Sequence, residues 1–117
     1  MQEKASQAKV LGRLRMSNGG FEGMDYDIVR EETLIGRNPT TDITLLDEGI
    51  SREHALILWD SDTGEFTIED LQSTNGTKVN GKRVRSAALS DGDEILVGHT
   101  RFQFFLGASP APPTRKP

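Results

Sequence analysis

The sequence contains no cysteine, which excludes a disulfide framework, a thiolate metal site and a cysteine nucleophile. It also lacks any apolar run near the roughly 20 residues that a membrane-spanning helix requires. Its N-terminus, Met1-Gln2-Glu3-Lys4, has no hydrophobic segment of the kind found in signal peptides. These absences favour a cytoplasmic protein that has no membrane partner.

An excess of positive charge is missing too, because the formal net charge is -4. Domains that bind nucleic acid are usually basic, so we expect no nucleic-acid partner. Basic residues are nevertheless dense in one short segment, at Lys78, Lys82, Arg83 and Arg85. This cluster is either the solvated face of a hairpin, which is the simpler interpretation, or a binding patch.

No window shows a sustained 3.6-residue apolar period, so long helices are not expected. Short apolar runs separated by turn signals instead predict an all-β sandwich. The run at 55–59 is so continuously apolar that we expect burial on both of its faces. Asn80-Gly81 predicts a two-residue hairpin turn, because both residues tolerate positive φ. The predicted strands cover residues 9–16, 24–30, 33–35, 43–46, 55–59, 65–69, 77–79, 82–84, 94–97 and 100–106.

The expected organisation is a single monomeric domain at residues 9–106, since a chain of 117 residues can bury one core without disulfides. Residues 1–8 are polar and form a predicted flexible lead-in. Residues 107–117 hold four of the five prolines, which is the composition of a linker or an extended polyproline segment.

Four short polar motifs follow strand-like runs between residues 36 and 81. Loops that each carry such residues can gather at one end of a sandwich, where a guanidinium, hydroxyls and amides would face an anionic ligand. The pattern favours a recognition surface over a reaction centre. The motifs are Gly36-Arg37, Ser51-Arg52-Glu53-His54, Ser73-Thr74-Asn75-Gly76-Thr77 and Asn80-Gly81.

Two of these motifs have ordinary structural explanations when each is taken alone. Arg37 could simply pair with Asp42 or Asp47 at the surface. The Thr74–Thr77 stretch could be only a turn, because Asn-Gly favours turns. The order of the set, and not any single motif, therefore carries the functional argument.

The two histidines offer little catalytic or metal chemistry. Ser51 and His54 suggest a nucleophile and a base, but on a strand they would point to opposite faces. We therefore expect His54 to be a hydrogen-bonded structural residue. His99 stands in a loop without a partner motif, and two isolated histidines do not make a metal site. No catalytic residue, metal or cofactor is predicted.

Taken in order, the motifs resemble the forkhead-associated (FHA) domain, a phosphothreonine-recognition module. The resemblance covers about residues 10–106 and includes the hydrophobic pattern between the motifs. The matching segments are Leu34-Ile35-Gly36-Arg37, Ile50-Ser51-Arg52-Glu53-His54-Ala55, Asp70-Leu71-Gln72-Ser73-Thr74-Asn75-Gly76-Thr77 and Asp91-Gly92-Asp93-Glu94-Ile95.

This resemblance implies a β-sandwich of about eleven strands in two sheets, with the ligand held by loops at one end. It implies that four residues contact the phosphothreonine: Arg37, Ser51, Arg52 and Thr74. It gives Asn75 the role of holding the main chain of the peptide. It leaves to four further residues the shaping of the loops: Gly36, His54, Gly76 and Asn80.

The function implied by the resemblance is that of a non-enzymatic adaptor in Ser/Thr-kinase signalling. Its partner would be a threonine-phosphorylated protein or peptide, made by an upstream kinase. A phosphate with about -1.5 to -2 charges suits arginine forks and hydroxyls. One alternative keeps the fold but assembles with partners regardless of phosphorylation. A Ser/His hydrolase is the other, although no nucleophile-elbow pattern or triad supports it.

Overall fold

A computed structural model describes residues 9–107 of the chain. The predicted lead-in at 1–8 lies outside the described residues, and so does the predicted tail apart from Gly107. The described part holds eleven strands and no helix, so no helix within it is long and apolar enough to cross a membrane.

The strands form two sheets around one shared core, which confirms the predicted β-sandwich. In chain order the strands are β1 Gly12–Met16, β2 Asp25–Ile28, β3 Glu32–Gly36, β4 Ile43–Thr44, β5 Ala55–Trp59, β6 Phe66–Asp70, β7 Thr77–Val79, β8 Lys82–Val84, β9 Ser86–Leu89, β10 Glu94–Val97 and β11 Thr100–Leu106. One sheet has the order β9-β6-β5-β3-β4 and the other the order β2-β1-β11-β10-β7-β8. All pairs are antiparallel except β3 with β4.

The core is built from alternate residues along the strands, those whose side chains face inward. Phe66 and Ile68 of β6 are buried, as the alternation of that strand predicts, and so are Phe102 and Phe104 of β11. The rings of Phe66 and Phe104 meet edge to face across the two sheets, with centroids 5.0 Å apart. Such pairs add about 0.5–1.5 kcal/mol beyond the burial of their area.

One expectation about the strands is wrong, and one strand was not predicted. The run at 55–59 is not buried on both faces, because only Ala55 and Ile57 are buried while Leu56 and Leu58 are half-buried. Its second face lies on the outer side of the five-stranded sheet, where the described chain places no further layer. The strand Ser86–Leu89 was not predicted, since Ser-Ala-Ala-Leu shows no apolar period. It forms by pairing with β6.

The strand register gathers several loops at one end of the sandwich, which we call the ligand end. Gly36 at the end of β3, the start of β5 and Asp70 at the end of β6 lie there, because Ile35 pairs with Ala55 and Ala55 with Asp70. Thr77 opens β7 at the same end and pairs with Val97. The loops 37–42, 45–54, 71–76 and 98–99 therefore share this end of the molecule.

The fourth polar motif lies elsewhere. Asn80 and Gly81 form the predicted hairpin turn, with φ of 52° and 85°. This turn closes the far end of β7, where the amide of Asn80 donates to the carbonyl of Glu94 at the start of β10. The expectation that all four motifs meet at one end is therefore right for three and wrong for Asn80-Gly81.

The described chain begins and ends at the opposite end of the sandwich from the ligand loops. Gly12 pairs with Leu106, and the amide of Gly107 donates to the carbonyl of Leu11 over 2.8 Å. Entry and exit of the domain are therefore immediate neighbours.

Candidate functional site

Arg37 is held by the loop that precedes β5. Its Nε donates to the carbonyl of Ile50 over 3.0 Å, and its amide donates to the carbonyl of Ser51 over 3.1 Å. The side chain is exposed, and within residues 9–107 its two terminal nitrogens make no hydrogen bond or ion pair. One edge of the guanidinium is thus fixed, while the other edge is left to face a ligand.

The surface pairing of Arg37 with Asp42 or Asp47 does not occur. Asp42 accepts from the amide of Leu34 and lies 3.8 Å from a nitrogen of Arg30. Asp47 is engaged by three other donors. The ordinary explanation for Arg37 is therefore excluded within the described chain.

Ser51 connects the 45–54 loop to the 71–76 loop. Its Oγ accepts a hydrogen bond from the amide of Thr74 over 3.0 Å. Because that bond uses a lone pair, the hydroxyl proton stays available to donate. Ser51 is half-buried and Thr74 is exposed. The bond therefore fixes a hydroxyl donor next to the side chain of Thr74.

His54 is fully buried and uses both ring nitrogens on the backbone. Its Nδ1 accepts from the amide of Ser51 over 3.1 Å, so Nε2 carries the proton and donates to the carbonyl of Gly76 over 2.8 Å. No ring nitrogen is left to take a proton from the Ser51 hydroxyl. The geometry therefore gives these two residues no nucleophile–base relationship.

Asp70 anchors the 71–76 loop at its base. One carboxylate oxygen accepts from Ser73 Oγ over 2.5 Å and from Thr77 Oγ1 over 2.7 Å, and the other accepts from the Ser73 amide over 3.1 Å. Ser73 Oγ in turn accepts from the amide of Gly76 over 2.9 Å. Burial alone would raise the pKa of Asp70, but the hydrogen bonds from Ser73 and Thr77 outweigh it and hold the pKa below its usual value.

Asp47 performs the same task for the neighbouring loops. It accepts from the amide of Gly49, the amide of His99 and the hydroxyl of Thr100, and the ring of His99 lies 3.1 Å from its carboxylate. Burial would raise the pKa of Asp47, yet the hydrogen bonds from Gly49, Thr100 and His99 lower it overall. His99, for which the sequence offered no partner, thus has one in Asp47.

Asn75 lies between these anchors. Its Nδ2 donates to the carbonyl of Gly49 over 2.8 Å, which ties the 71–76 loop to the 45–54 loop a second time. The residue is exposed, so its carbonyl oxygen and second amide proton face outward. An exposed side-chain amide of this kind can pair with the backbone of an extended peptide.

Close packing explains the two glycines of the site. A Cβ on Gly36 would lie 2.9 Å from the carbonyl carbon of Arg52 and closer still to its oxygen. Gly76 has a φ of 85°, and a Cβ there would lie 2.8 Å from Cζ of Arg83. Arg52 itself is exposed, and it is its backbone carbonyl that excludes a side chain at Gly36.

Asn80 is the only predicted site residue away from the ligand end. Its Nδ2 donates to Asp93 over 2.9 Å, and its Oδ1 accepts from the amide of Glu94 over 2.9 Å. These bonds connect the β7–β8 turn to the Asp91-Gly92-Asp93 turn. Any influence of Asn80 on a ligand must therefore be transmitted through β7.

The arrangement at the ligand end is a set of outward donors on a hydrogen-bonded frame. The donors come from Arg37, Ser51 and Asn75, and Arg52 and Thr74 are exposed on the same loops. Within residues 9–107, no three His, Cys, Asp or Glu side chains gather as metal ligands. Such a surface suits an anionic group attached to a peptide.

Sequence reasoning missed the acidic residues that hold the loops. Asp47 appeared only as a possible partner of Arg37, and Asp70 only as part of a matching segment. Their short side chains at strand and loop ends were the available signal, because Asp caps turns by accepting backbone hydrogen bonds. The distance in sequence between Asp47 and Thr100 hid the connection.

Comparisons with known proteins agree with the resemblance to the FHA domain. The sequence profile of the FHA domain matches residues 33–98. Glycogen accumulation regulator GarA of Mycobacterium tuberculosis is 43% identical over 94 residues, which are 80% of this chain and 57% of GarA. The oxoglutarate dehydrogenase inhibitor of Corynebacterium jeikeium is 37% identical over 98 residues, which are 84% of this chain and 67% of the inhibitor.

A solved structure from a study of phosphothreonine-dependent FHA domain interactions has a TM-score of 0.75 and 33% identity, covering 85% of this chain and 99% of that one. The chain belongs to the FHA domain family. The two curated relatives are named as a regulator and an inhibitor, and the chain spans little more than half of the length of GarA, at 57%.

Proposed function

We propose that residues 9–106 form a non-enzymatic module that binds phosphothreonine peptides and acts as an adaptor in Ser/Thr-kinase signalling. Arg37, Ser51, Arg52 and Thr74 surround the phosphate. Asn75 holds the main chain of the peptide. The module is monomeric and cytoplasmic, and its partner is a protein phosphorylated on threonine by an upstream kinase, with no nucleic acid or membrane involved.

The observation that carries the proposal is that Arg37 and Ser51 each use only some of their polar groups within the protein. Arg37 Nε donates to the carbonyl of Ile50, and Ser51 Oγ accepts from the amide of Thr74. Within the described chain, the remaining donors of both side chains stay free to face a ligand. Donors fixed before the ligand arrives lose little rotamer entropy on binding. A phosphate dianion, with three acceptor oxygens, is the peptide modification that uses such donors fully.

Fluorescence anisotropy with a degenerate phosphothreonine peptide library tests this function. Matched threonine and phosphoserine libraries are titrated in parallel, and Arg37→Ala is compared with Arg30→Ala. Arg30 precedes β3, at the opposite end of that strand from Gly36, and its side chain is 71% accessible and pairs within the described chain only with Asp42, so it provides a control.

We expect binding to the phosphothreonine library alone, weakened by Arg37→Ala and unchanged by Arg30→Ala. Loss of a charged hydrogen-bond partner removes about 1.5–3 kcal/mol, which is roughly 10- to 150-fold in Kd. Unchanged affinity of Arg37→Ala would show that the pocket is assigned wrongly. Equal binding of the phosphorylated and plain libraries would favour phosphorylation-independent assembly, and turnover of generic ester or phosphate-ester substrates would favour a hydrolase.

A further inference from the structure

A second cationic surface borders the ligand end, on the side of the β7–β8 hairpin. It consists of Lys78, Arg83 and Arg85, all exposed, and we call it the hairpin patch. Within residues 9–107, none of the three makes a salt bridge or a side-chain hydrogen bond. The protein carries a net charge of -4, yet no acidic side chain of residues 9–107 forms an ion pair with this patch.

The hairpin patch opposes the stability of the hairpin that carries it. Lys78 and Arg83 stand directly opposite each other in the β7–β8 register. Like charges at directly opposed positions of an antiparallel pair repel. A solvated hairpin face would be served better by a Lys–Glu pair, so the repulsion is unexplained by folding alone.

Arg83 connects this patch to the ligand loops. Its guanidinium packs on Gly76, as shown by the 2.8 Å that would separate Arg83 Cζ from a Cβ at that position. Gly76 is two residues from Thr74, so their Cα atoms are at most about 7 Å apart. A cation on this flank therefore lies within one or two side-chain lengths of the residue assigned to the phosphothreonine.

A groove of about 750 Å³ continues from this point along the edge of the two sheets. Arg83 and Arg85 line it, together with Gln72 and the base of the 71–76 loop. Gln72 has a φ of 58°, a left-handed conformation that residues other than glycine rarely adopt. The groove also contains Asp70, but the carboxylate of that residue is already covered by its three hydrogen bonds from Ser73 and Thr77.

We propose that the hairpin patch binds a second anionic side chain of the same ligand, within about four residues of the phosphothreonine. An extended peptide advances about 3.3 Å per residue, so a residue at that distance reaches the groove while the phosphothreonine stays at Arg37 and Ser51. The anion is the carboxylate of Glu or Asp, or a second phosphate. This inference rests on the proposed function, since it adds selectivity to the same site.

The test uses fluorescein-labelled peptides with a central phosphothreonine in a neutral Ala/Ser/Gln background. Glutamate or phosphoserine is placed in turn at each position up to about four residues before or after the phosphothreonine. Every peptide has a counterpart with unmodified threonine. The proteins are the wild type, Arg83→Gln/Arg85→Gln, the charge-conserving Arg83→Lys/Arg85→Lys, and Lys9→Gln/Arg30→Gln. The last variant loses the same charge at two exposed residues that belong neither to the hairpin patch nor to the predicted phosphate contacts.

We expect at least one position at which glutamate tightens binding by about three- to tenfold, and phosphoserine by more because of its greater charge. Arg83→Gln/Arg85→Gln should lose this gain while binding the neutral phosphothreonine peptide within about twofold of the wild type. Lys9→Gln/Arg30→Gln and the charge-conserving Arg83→Lys/Arg85→Lys should largely keep it. The gain should also shrink as salt rises, because exposed charges are screened.

Failure of the inference and failure of the proposed function are distinguishable. Wild-type binding that requires phosphothreonine but shows no anionic preference, or a preference that survives in Arg83→Gln/Arg85→Gln, overturns the hairpin patch alone. Equal binding of phosphorylated and plain peptides overturns the proposed function, and the patch is then judged by whether the double variant removes the gain from glutamate. An oligonucleotide that displaces the peptide through Arg83 and Arg85 would reassign the patch to nucleic acid and overturn the inference.

Discussion

Replacing Asp70 with alanine should destabilise the domain by about 3–5 kcal/mol. The carboxylate accepts three hydrogen bonds from Ser73 and Thr77, two residues that are only 8% and 0% exposed. Each buried donor left without an acceptor costs about 1–3 kcal/mol, and three give about 3–9 kcal/mol. The lower half of that range applies because hydroxyl groups can rotate towards other acceptors.

Two further variants grade the effect. Asp70→Asn keeps the shape and one oxygen, but turns an amide donor towards donors, so about half of the loss is expected. Asp62→Ala removes an exposed carboxylate in the 60–64 turn at the opposite end. Within the described chain that carboxylate makes no hydrogen bond, so the change should stay within about 0.5 kcal/mol.

The pH dependence gives a second signature of the same network. Because the pKa of Asp70 is lowered in the folded state, its contribution is present above the unfolded pKa of about 3.9 and is lost as the pH falls through the folded value. The stability gap between the wild type and Asp70→Asn should therefore be full at pH 7 and shrink below about pH 4.

Urea unfolding monitored by the single tryptophan, Trp59, measures all of these differences. Trp59 is half-buried in the five-stranded sheet, away from the substituted residue, so its fluorescence reports global unfolding. A loss below about 1 kcal/mol for Asp70→Ala would refute the reasoning about unsatisfied donors. A gap between the wild type and Asp70→Asn that is the same at neutral and acid pH would refute the assignment of the charge.

Three other substitutions have defined outcomes. His54→Ala should lower the free energy of unfolding by about 2–4 kcal/mol, since it leaves a cavity and two unpaired backbone groups; a urea midpoint equal to the wild type would contradict this. Gly36→Ala should lower it by about 2 kcal/mol or more because the new methyl meets the Arg52 carbonyl, and a change within the error of the melt would show that the loop can move aside. Asn80→Ala should lose about 1–2 kcal/mol yet keep phosphopeptide affinity within about twofold; a large drop in affinity at unchanged stability would place this turn in the site after all.

Local signals predicted most of the strands. The alternation of Phe66 with Ile68, and the two tolerant residues of the Asn80-Gly81 turn, act over a few residues and are legible in the sequence. The strand Ser86–Leu89 was missed because its partner β6 supplies the order that its composition does not. Burial of the second face of β5 was overestimated because apolar character does not tell which side of a sheet receives a covering layer.

The site, too, was predictable only in part. The ordered motifs were sufficient for the resemblance and for the residues at the ligand end. The bonds that hold those residues together span long separations, with Asn75 26 residues from Gly49 and the His99 amide 52 residues from Asp47. Contacts of that kind follow from the strand order, which no single motif specifies. The hairpin patch was visible in the sequence as a cluster of charges, but only the structure shows that Arg83 packs on Gly76.

The neighbouring positions of Leu11 and Gly107 have a practical consequence. A fluorophore, fusion partner or surface anchor joined directly at Leu11 or Gly107 starts on the side remote from Arg37. Because entry and exit are as close as the two ends of a hairpin, the domain is also suited to insertion into an exposed loop of another protein, or to circular permutation with a new break in the 60–64 turn. A sensor built by attaching the module at these residues would present the ligand loops on the side opposite the attachment.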